Sequence, residues 1–343
     1  MQTVFKYKLD IAELEKIKQY CNSVDYCSIE QAIGWNDLFY KSKICYFYLC
    51  DDSGIKSFCQ IREHLRSAQI SFGPVCCEKE TMVTSIKEII NYYKHRRFLF
   101  LSVQMYYKSG YDTEYIEYAL NKDHKIKYFF DQENTKSTIE IDLISDIDEI
   151  YNKFRKGHKS DIKRAVKLGV TVDIVKNKDE LDTFADVYIK MCKVRNISAG
   201  ELSKQNINEI YNFLIENNKG QIFIVKENTG KVIGGAIVTY QGISVRYLRG
   251  ASDPDRRDLP ILHLVIYEVI KNAKDNNFRY LDLWGYNHFV NDTDQVFYIN
   301  HFKKGFGGYF AFFVKKMNID LIPGGYYIYS LLLLIRKIYI KFH

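Results

Sequence analysis

The residues best suited to chemistry lie between Phe278 and Tyr309. Tyr280, Leu281 and Leu283 alternate as in a buried strand, the pattern breaks at Gly285, and a short aromatic helix follows that ends on Gly305, Gly307 and Gly308. Asp282 lies inside the strand and Lys303 just ahead of the glycines, an order that brings a carboxylate and an ammonium toward one end of a sheet. A charge taken out of water is either paired or useful, and both explanations are open here. Asp282 is a candidate to accept or relay a proton or to orient Lys303, or equally to pair with backbone donors. Lys303 is alternatively a solvated lysine at a helix C-terminus, where the helix dipole favours it.

A second cluster is electrostatic. Lys153, Arg155, Lys156, Lys159, Lys163, Arg164 and Lys167 fall within fifteen residues, and such a run either tracks nucleic-acid phosphates or forms a solvated helix face. Other chemistries find little support. There is no GxSxG, no Ser–His–Asp pattern and no reactive-looking Cys–His pair. The eight cysteines contain no CxxC, and the histidines show no metal-ligand spacing, so reduced, buried thiols and no metal are expected. No cofactor is expected either.

These residues need a scaffold, and 343 residues with 47% hydrophobic and 15% aromatic content can build two well-cored domains. The net charge of +7 suits a polyanionic partner without requiring one. Two helices are predicted over residues 10–39, then strands Lys43–Leu49 and Ile55–Ile61 across an Asp-Asp-Ser-Gly turn, and a third strand ending near Phe72. A helix at Thr81–Tyr93, a strand at Phe98–Val103, a helix near Glu114–Leu120 and strands near Lys125–Phe130 and Ser137–Asp142 complete the first half. After a bridge from Ser145 to Val175 the order recurs: helices Lys178–Lys193 and Gln205–Asn217, then strands Gln221–Lys226, Val232–Tyr240 and Ser244–Gly250. The helix Ile261–Lys274 carries a core-facing stripe of Leu262, Val265, Ile266, Val269, Ile270 and Ala273. Strand 278–283, a helix from about Thr293 to Lys303 and strand Tyr309–Lys315 follow. The expected class is α/β (α+β), with mixed sheets flanked by helices, in domains 1–144 and 145–320.

Residues 321–343 form a terminal segment in which Leu331–Leu334 precede Arg336, Lys337 and Lys341. The apolar run falls well short of the roughly 20 residues that cross a bilayer. It is expected as a helix packed back on the body, with a basic membrane-surface contact as the sharper alternative. The N-terminus MQTVFKYKLD lacks the apolar core of a secretory signal, so a cytoplasmic monomer is expected, at most touching the inner face of the membrane.

The element order of each half resembles the GNAT acyltransferase fold, and two such units in tandem resemble the Fem-type aminoacyltransferases that build peptidoglycan interpeptide bridges. Ser28 to Trp35 is similar to the family's "Q-S-x-x-W" segment, and Thr138–Leu143 to the strand entering its second domain. Lys159–Val172 resembles "R-x-x-I-x-K-A-x-K-x-G-V-x-V". Tyr247–Ser252 resembles "Y-x-Y-G-A-S" with Arg249 in place of the second aromatic. Tyr280–Gly285 resembles "Y-x-D-x-x-G", and Phe302–Gly308 resembles "F-K-x-G-F-G-G". These strings run in order over most of the chain. One departs: where the family carries a lysine four residues after the tryptophan, helping to hold a phosphorylated precursor, this sequence has Phe39, which leaves room for a lipid-linked or other glycan acceptor.

The resemblance implies transfer of an aminoacyl group from aminoacyl-tRNA, as co-substrate, to an amine of a nucleotide- or lipid-linked peptidoglycan precursor. That chemistry needs alignment, loss of a proton and stabilisation of an oxyanion, and no enzyme nucleophile. Lys303 then matches the family lysine that faces the ester, with Asp282 as its catalytic companion. Arg195 resembles an arginine that clamps acceptor phosphates, and Tyr247, Trp284 and Phe302 are the expected substrate-binding aromatics. Lys156, Lys159, Lys163 and Arg164 are the expected tRNA contacts. Two rivals are a CoA-dependent N-acyltransferase acting on a cell-envelope glycan and a non-catalytic RNA-binding adaptor. Against CoA, Pro260 and Leu262 in the stretch Arg257–Leu262 replace the glycines that let backbone amides cradle a pyrophosphate.

Overall fold

The computed structural model describes residues 1–106, 110–122, 126–128, 137–197, 202–288 and 290–342. In chain order the first part contains β1 (Gln2–Lys6), α1 (Ile11–Ser23), β2 (Lys43–Asp51), β3 (Gly54–His64), β4 (Ser67–Ser71), α2 (Lys79–His95), β5 (Phe100–Gln104), α3 (Gly110–Asn121) and β6 (Ile126–Tyr128). The middle part contains β7 (Ser137–Asp142), α4 (Ile147–Asn152), α5 (Lys156–Lys167), β8 (Thr171–Ile174), α6 (Lys178–Val194), α7 (Lys204–Glu216), β9 (Gly220–Lys226), β10 (Val232–Gln241) and β11 (Ser244–Ser252). There follow α8 (Ile261–Asp275), β12 (Tyr280–Asp282), α9 (Gln295–Lys304), β13 (Tyr309–Phe312), β14 (Met317–Asp320) and α10 (Gly325–Phe342).

These elements form two seven-stranded mixed sheets, ordered β1-β2-β3-β4-β5-β14-β6 and β13-β7-β12-β11-β10-β9-β8. Each sheet contains a parallel pair, β4 with β5 and β11 with β12, bridged by the long crossover helices α2 and α8. Each fifth strand would expose an edge. A strand from the far end of the unit covers it antiparallel, β14 on β5 and β7 on β12.

That pairing sets the boundaries. One compact unit comprises Met1–Lys136 and Phe312–His343, the other Ser137–Ala311. The sequence reading placed the breaks at 144 and 320, which leaves β7 in the first domain and β14 in the second. Their edge pairing puts each in the other unit. Strand β1 was not anticipated; the strand expected over Tyr309–Lys315 is the shorter β13, and β14, which begins beyond that range and joins the other sheet, was not anticipated either. The second helix expected before residue 39 is instead two single 3-10 turns, Ile29–Gln31 and Asn36–Leu38, separated by Gly34 at φ 92°. Of the strand expected at Lys125–Phe130, Lys125, Phe129 and Phe130 lie outside the described residues.

Sequence patterns explain the cores. In the second unit the α8 stripe of Val265, Ile266, Val269, Ile270 and Ala273 packs on Val238, Val245 and Leu281. In the first unit Ile86, Ile89, Ile90 and Tyr93 of α2 pack on Phe47, Ile61, Leu101 and Val103. Helix α10 sits on the first unit through Tyr329 against Leu99 and Phe100. None of the eight cysteines is in a disulfide, and six are buried.

At Gly235, in the centre of β10, a Cβ would sit 2.1 Å from the Phe223 carbonyl oxygen and 2.9 Å from the Phe184 ring. Gly235→Ala is therefore expected to cost about 1–3 kcal/mol of stability by overpacking, read as a lower urea midpoint at unchanged slope.

Candidate active site

The site is built on one face of the second sheet. Side chains alternate across a strand, so while Val245, Leu281, Ile139 and Ile141 face the apolar core, Arg246, Asp282 and Glu140 face the other way. The register places these three side by side on β11, β12 and β7, with Thr239 of β10 next to Arg246. All four are buried, Arg246, Asp282 and Thr239 completely.

Arg246 is the largest fully buried side chain described. Its Nε lies 3.7 Å from Asp282 Oδ2, and its guanidinium stacks 3.6 Å from the centre of the Trp284 ring. Desolvation strengthens both contacts. Asp282 Oδ1 accepts from the Thr138 hydroxyl and, at 2.7 Å, from the Trp284 backbone amide. Asp282 thus holds the first turn beyond its own strand.

That turn is unusual. Trp284 and Gly285 are consecutive left-handed residues, at φ 51° and 55°. For tryptophan this conformation costs on the order of 1–3 kcal/mol, which the amide bond to Asp282 and the stacking of Arg246 offset. The turn presents both carbonyls to one ligand: Lys303 Nζ donates to Trp284 O and, at 2.7 Å, to Gly285 O. Two of the three ammonium donors are used, so one remains for an incoming group. Burial pushes the Lys303 ammonium from its ordinary 10.5 down to about 8, and the Asp282 carboxylate opposes the shift.

Helix α9 carries Lys303 and is seated on α5. His158 Nε2 donates to the Phe302 carbonyl at 2.8 Å, and the Arg155 amide donates to Gly305 O at 2.8 Å. A Cβ on Gly305 would fall 2.1 Å from the His158 ring, so that position requires glycine. His158 and His263 meet edge to face, and burial keeps both neutral, His263 pushed down to about 4.

The remaining expected site residues fall as follows. Phe302 packs against His263 and Phe306. Tyr247 is buried in the core, where burial raises its phenol and the nearby Arg195 guanidinium opposes the rise. Arg195 ends α6 and is exposed. Helix α5 buries His158, Ile162 and Ala165, and turns Lys156, Lys163 and Arg164 outward. Lys159 is half-buried and donates to Asn152 O, and Arg164 donates to Asp258 O. The structure therefore brings together Lys303, Asp282 and Trp284, sets Arg195 near Tyr247, and spreads the cations along α5. No group of His, Cys, Asp or Glu among the described residues is arranged to hold a metal.

Comparison with known proteins agrees with this geometry. Residues 152–303 match the sequence model of the acetyltransferase (GNAT) domain. The crystal structure of FemX superposes with a TM-score of 0.80 at 16% identity, covering 96% of this chain and 99% of that one. The chain has a tandem GNAT fold. L-PGS from Bacillus licheniformis matches with a TM-score of 0.60 at 12% identity, over 91% of each chain. A tandem GNAT protein from the clavulanic acid biosynthesis pathway matches at 0.55 and 8%, over 94% and 99%. No curated protein sequence matches the chain.

Within the second GNAT unit, the sequence points to Lys303 and Asp282 but not to the Arg246 and Thr138 contacts of Asp282 or the seat on His158. Arg246 alternates with the core residues Val245 and Tyr247, so in the sequence it reads as an outward-facing charge and carries no signal of burial.

Arg246→Met is expected to destabilise the unit by about 3–5 kcal/mol, because it strands a buried carboxylate. It should also raise the Lys303 pKa above 8, since the Asp282 carboxylate that supports the ammonium would lose its other cation, as read from the pH dependence of Lys303 acylation by mass spectrometry. Independently, the folded chain releases the Lys303 proton near pH 8 while the unfolded chain holds it to about 10.4. Between those values the unfolded state binds more protons, so stability should rise with pH, a gain that Lys303→Met removes.

Proposed function

We propose that the chain is a Fem-type aminoacyltransferase, moving an amino acid from aminoacyl-tRNA to an amine of a peptidoglycan precursor. The observation that carries this reading is the Lys303 ammonium, positioned by two carbonyls with one donor left over. An activated ester and a free amine need no enzyme nucleophile. They need a fixed cation where the carbonyl oxygen becomes negative, and a cation already oriented costs no reorganisation when that charge develops. The amine attacks the ester carbonyl, a tetrahedral oxyanion forms against Lys303, and collapse breaks the bond to the tRNA ribose oxygen. The amine's proton leaves with that oxygen or to water. The motif strings of the sequence and the whole-chain likeness to FemX support the same reading.

The donor is argued from α8. In this fold a CoA pyrophosphate would need free amides at the start of the crossover helix. Here Pro260 caps α8 and has no amide hydrogen, and the Ile261 amide is bonded to Leu259 O at 3.0 Å. A tRNA ester makes no such demand, and the exposed cations Lys156, Lys163 and Arg164 on α5 suit its phosphates. On the acceptor side, Arg195 is the candidate phosphate clamp. Phe39, where a phosphate-binding lysine is expected, packs on Trp35, which favours a lipid-linked or other glycan acceptor over a nucleotide-linked one.

Incubation with charged tRNA pools and muropeptide precursors should add one aminoacyl residue to the acceptor mass. Lys303→Met should lower turnover by about 100- to 1000-fold while leaving the fold intact, and the wild-type rate should fall above pH 8 as the ammonium is lost. Transfer from acyl-CoA but not from charged tRNA would overturn the donor. Undiminished transfer by the methionine variant would overturn the role of Lys303, and tRNA binding with no transfer would indicate an adaptor.

A further inference from the structure

Over its described side chains, helix α10 is apolar on nearly every side yet covered on only one. The stripe of Tyr326, Tyr329 and Leu333 packs on Leu99 and Phe100, and Tyr326 N donates to Asp320 Oδ1 at 2.9 Å, which fixes the helix start. On the remaining surface Tyr327, Ile328, Leu331, Leu332, Leu334 and Ile335 are between 41% and 66% exposed. A helix that is hydrophobic all round belongs in a core or in lipid, and one stripe of contact does not account for this one.

The charge pattern identifies what covers it. From Gly325 to Phe342 there is no acidic residue, and Arg336, Lys337 and Lys341 are gathered in the last two turns. Arg336 rests on the first unit at His64, 2.8 Å away. The turn beyond His64 adds an exposed Leu65 and Arg66, and Arg66 reaches the Arg97 carbonyl beside Leu99. The apolar face is therefore bordered by Arg66 of the body as well as by Arg336 of the helix, with Lys337 and Lys341 following in the sequence. Two copies of the chain meeting through this face would bring like charges together, whereas an anionic bilayer supplies hydrocarbon for the leucines and headgroup charge for the rim. No helix among the described residues is long and apolar enough to cross a membrane, so contact here means lying in the interface.

We propose that α10 is a peripheral membrane anchor, seated by its outer Leu/Ile face in the surface of an anionic phospholipid bilayer with its C-terminal cations at the headgroups. The inference does not depend on the transfer chemistry. Flotation of the full chain with vesicles of phosphatidylcholine, with and without phosphatidylglycerol, tests it. Binding to the phosphatidylglycerol vesicles should be at least about tenfold stronger and should weaken with salt. The double change Leu331→Glu and Ile335→Glu should abolish it, with circular dichroism unchanged. Lys337→Gln with Lys341→Gln, which spares the Arg336–His64 contact, should weaken it about tenfold while leaving the apolar face in place. Failure of the wild-type chain to float with anionic vesicles would overturn the proposal. So would binding unaffected by the glutamates, or a concentration-dependent dimer that those glutamates dissolve, which would assign the face to a second copy.

Discussion

The ion pair between Arg246 and Asp282 is the contact on which the site rests. Two opposite charges, both wholly out of water, sit on adjacent parallel strands. Desolvating them costs several kcal/mol each, and a pair of that kind is seldom a net source of stability. What the pair provides is position. Asp282 can accept the Trp284 amide because Arg246 balances its charge, and Trp284 can hold a left-handed backbone because the guanidinium lies on its ring. The two carbonyls that follow are then fixed in the direction of Lys303.

This arrangement separates roles that the sequence left joined. Asp282 was expected as a proton acceptor or as an orienting group, and its two oxygens are already committed to Thr138, Trp284 and Arg246. A carboxylate so engaged is a poor base, since taking a proton would give up contacts that hold the turn. Lys303 is the member with a donor left over. Burial lowers its pKa to about 8, which still leaves it charged at neutral pH, and a weakly solvated ammonium attracts a negative charge more strongly than a lysine in water does.

Much of the fold was legible because both halves carry strong periodic signals. The α8 stripe, the β9–β10 hairpin at Asn228-Thr229-Gly230 and the glycines after Lys303 each announce an element and its end. What was not legible is non-local. Strands β7 and β14 are six and four residues long, and nothing within them says which sheet they join. Their membership follows from the open edges of β12 and β5, hundreds of residues away in β14's case. Arg246 was missed for a related reason: a charge inside a strand reads as an outward residue until the partner strand brings Asp282 opposite it.

The same logic explains why α9 needs α5. A lysine reaching a pair of carbonyls gains nothing if its helix can roll, because a displacement of about 1 Å forfeits most of an oriented interaction. The last turn of α9 has two tethers on α5, the His158 imidazole to Phe302 O and the Arg155 amide to Gly305 O, on either side of Lys303. His158 donates from a neutral ring held below its ordinary pKa by burial, so the tether carries no charge to compete with the ammonium one residue away. The basic helix thus has two faces: an inner one that seats the turn carrying Lys303, and an outer one on which Lys156, Lys163 and Arg164 are exposed. Because both belong to one twelve-residue helix, any group held on the outer face would bear on the same element that seats Lys303.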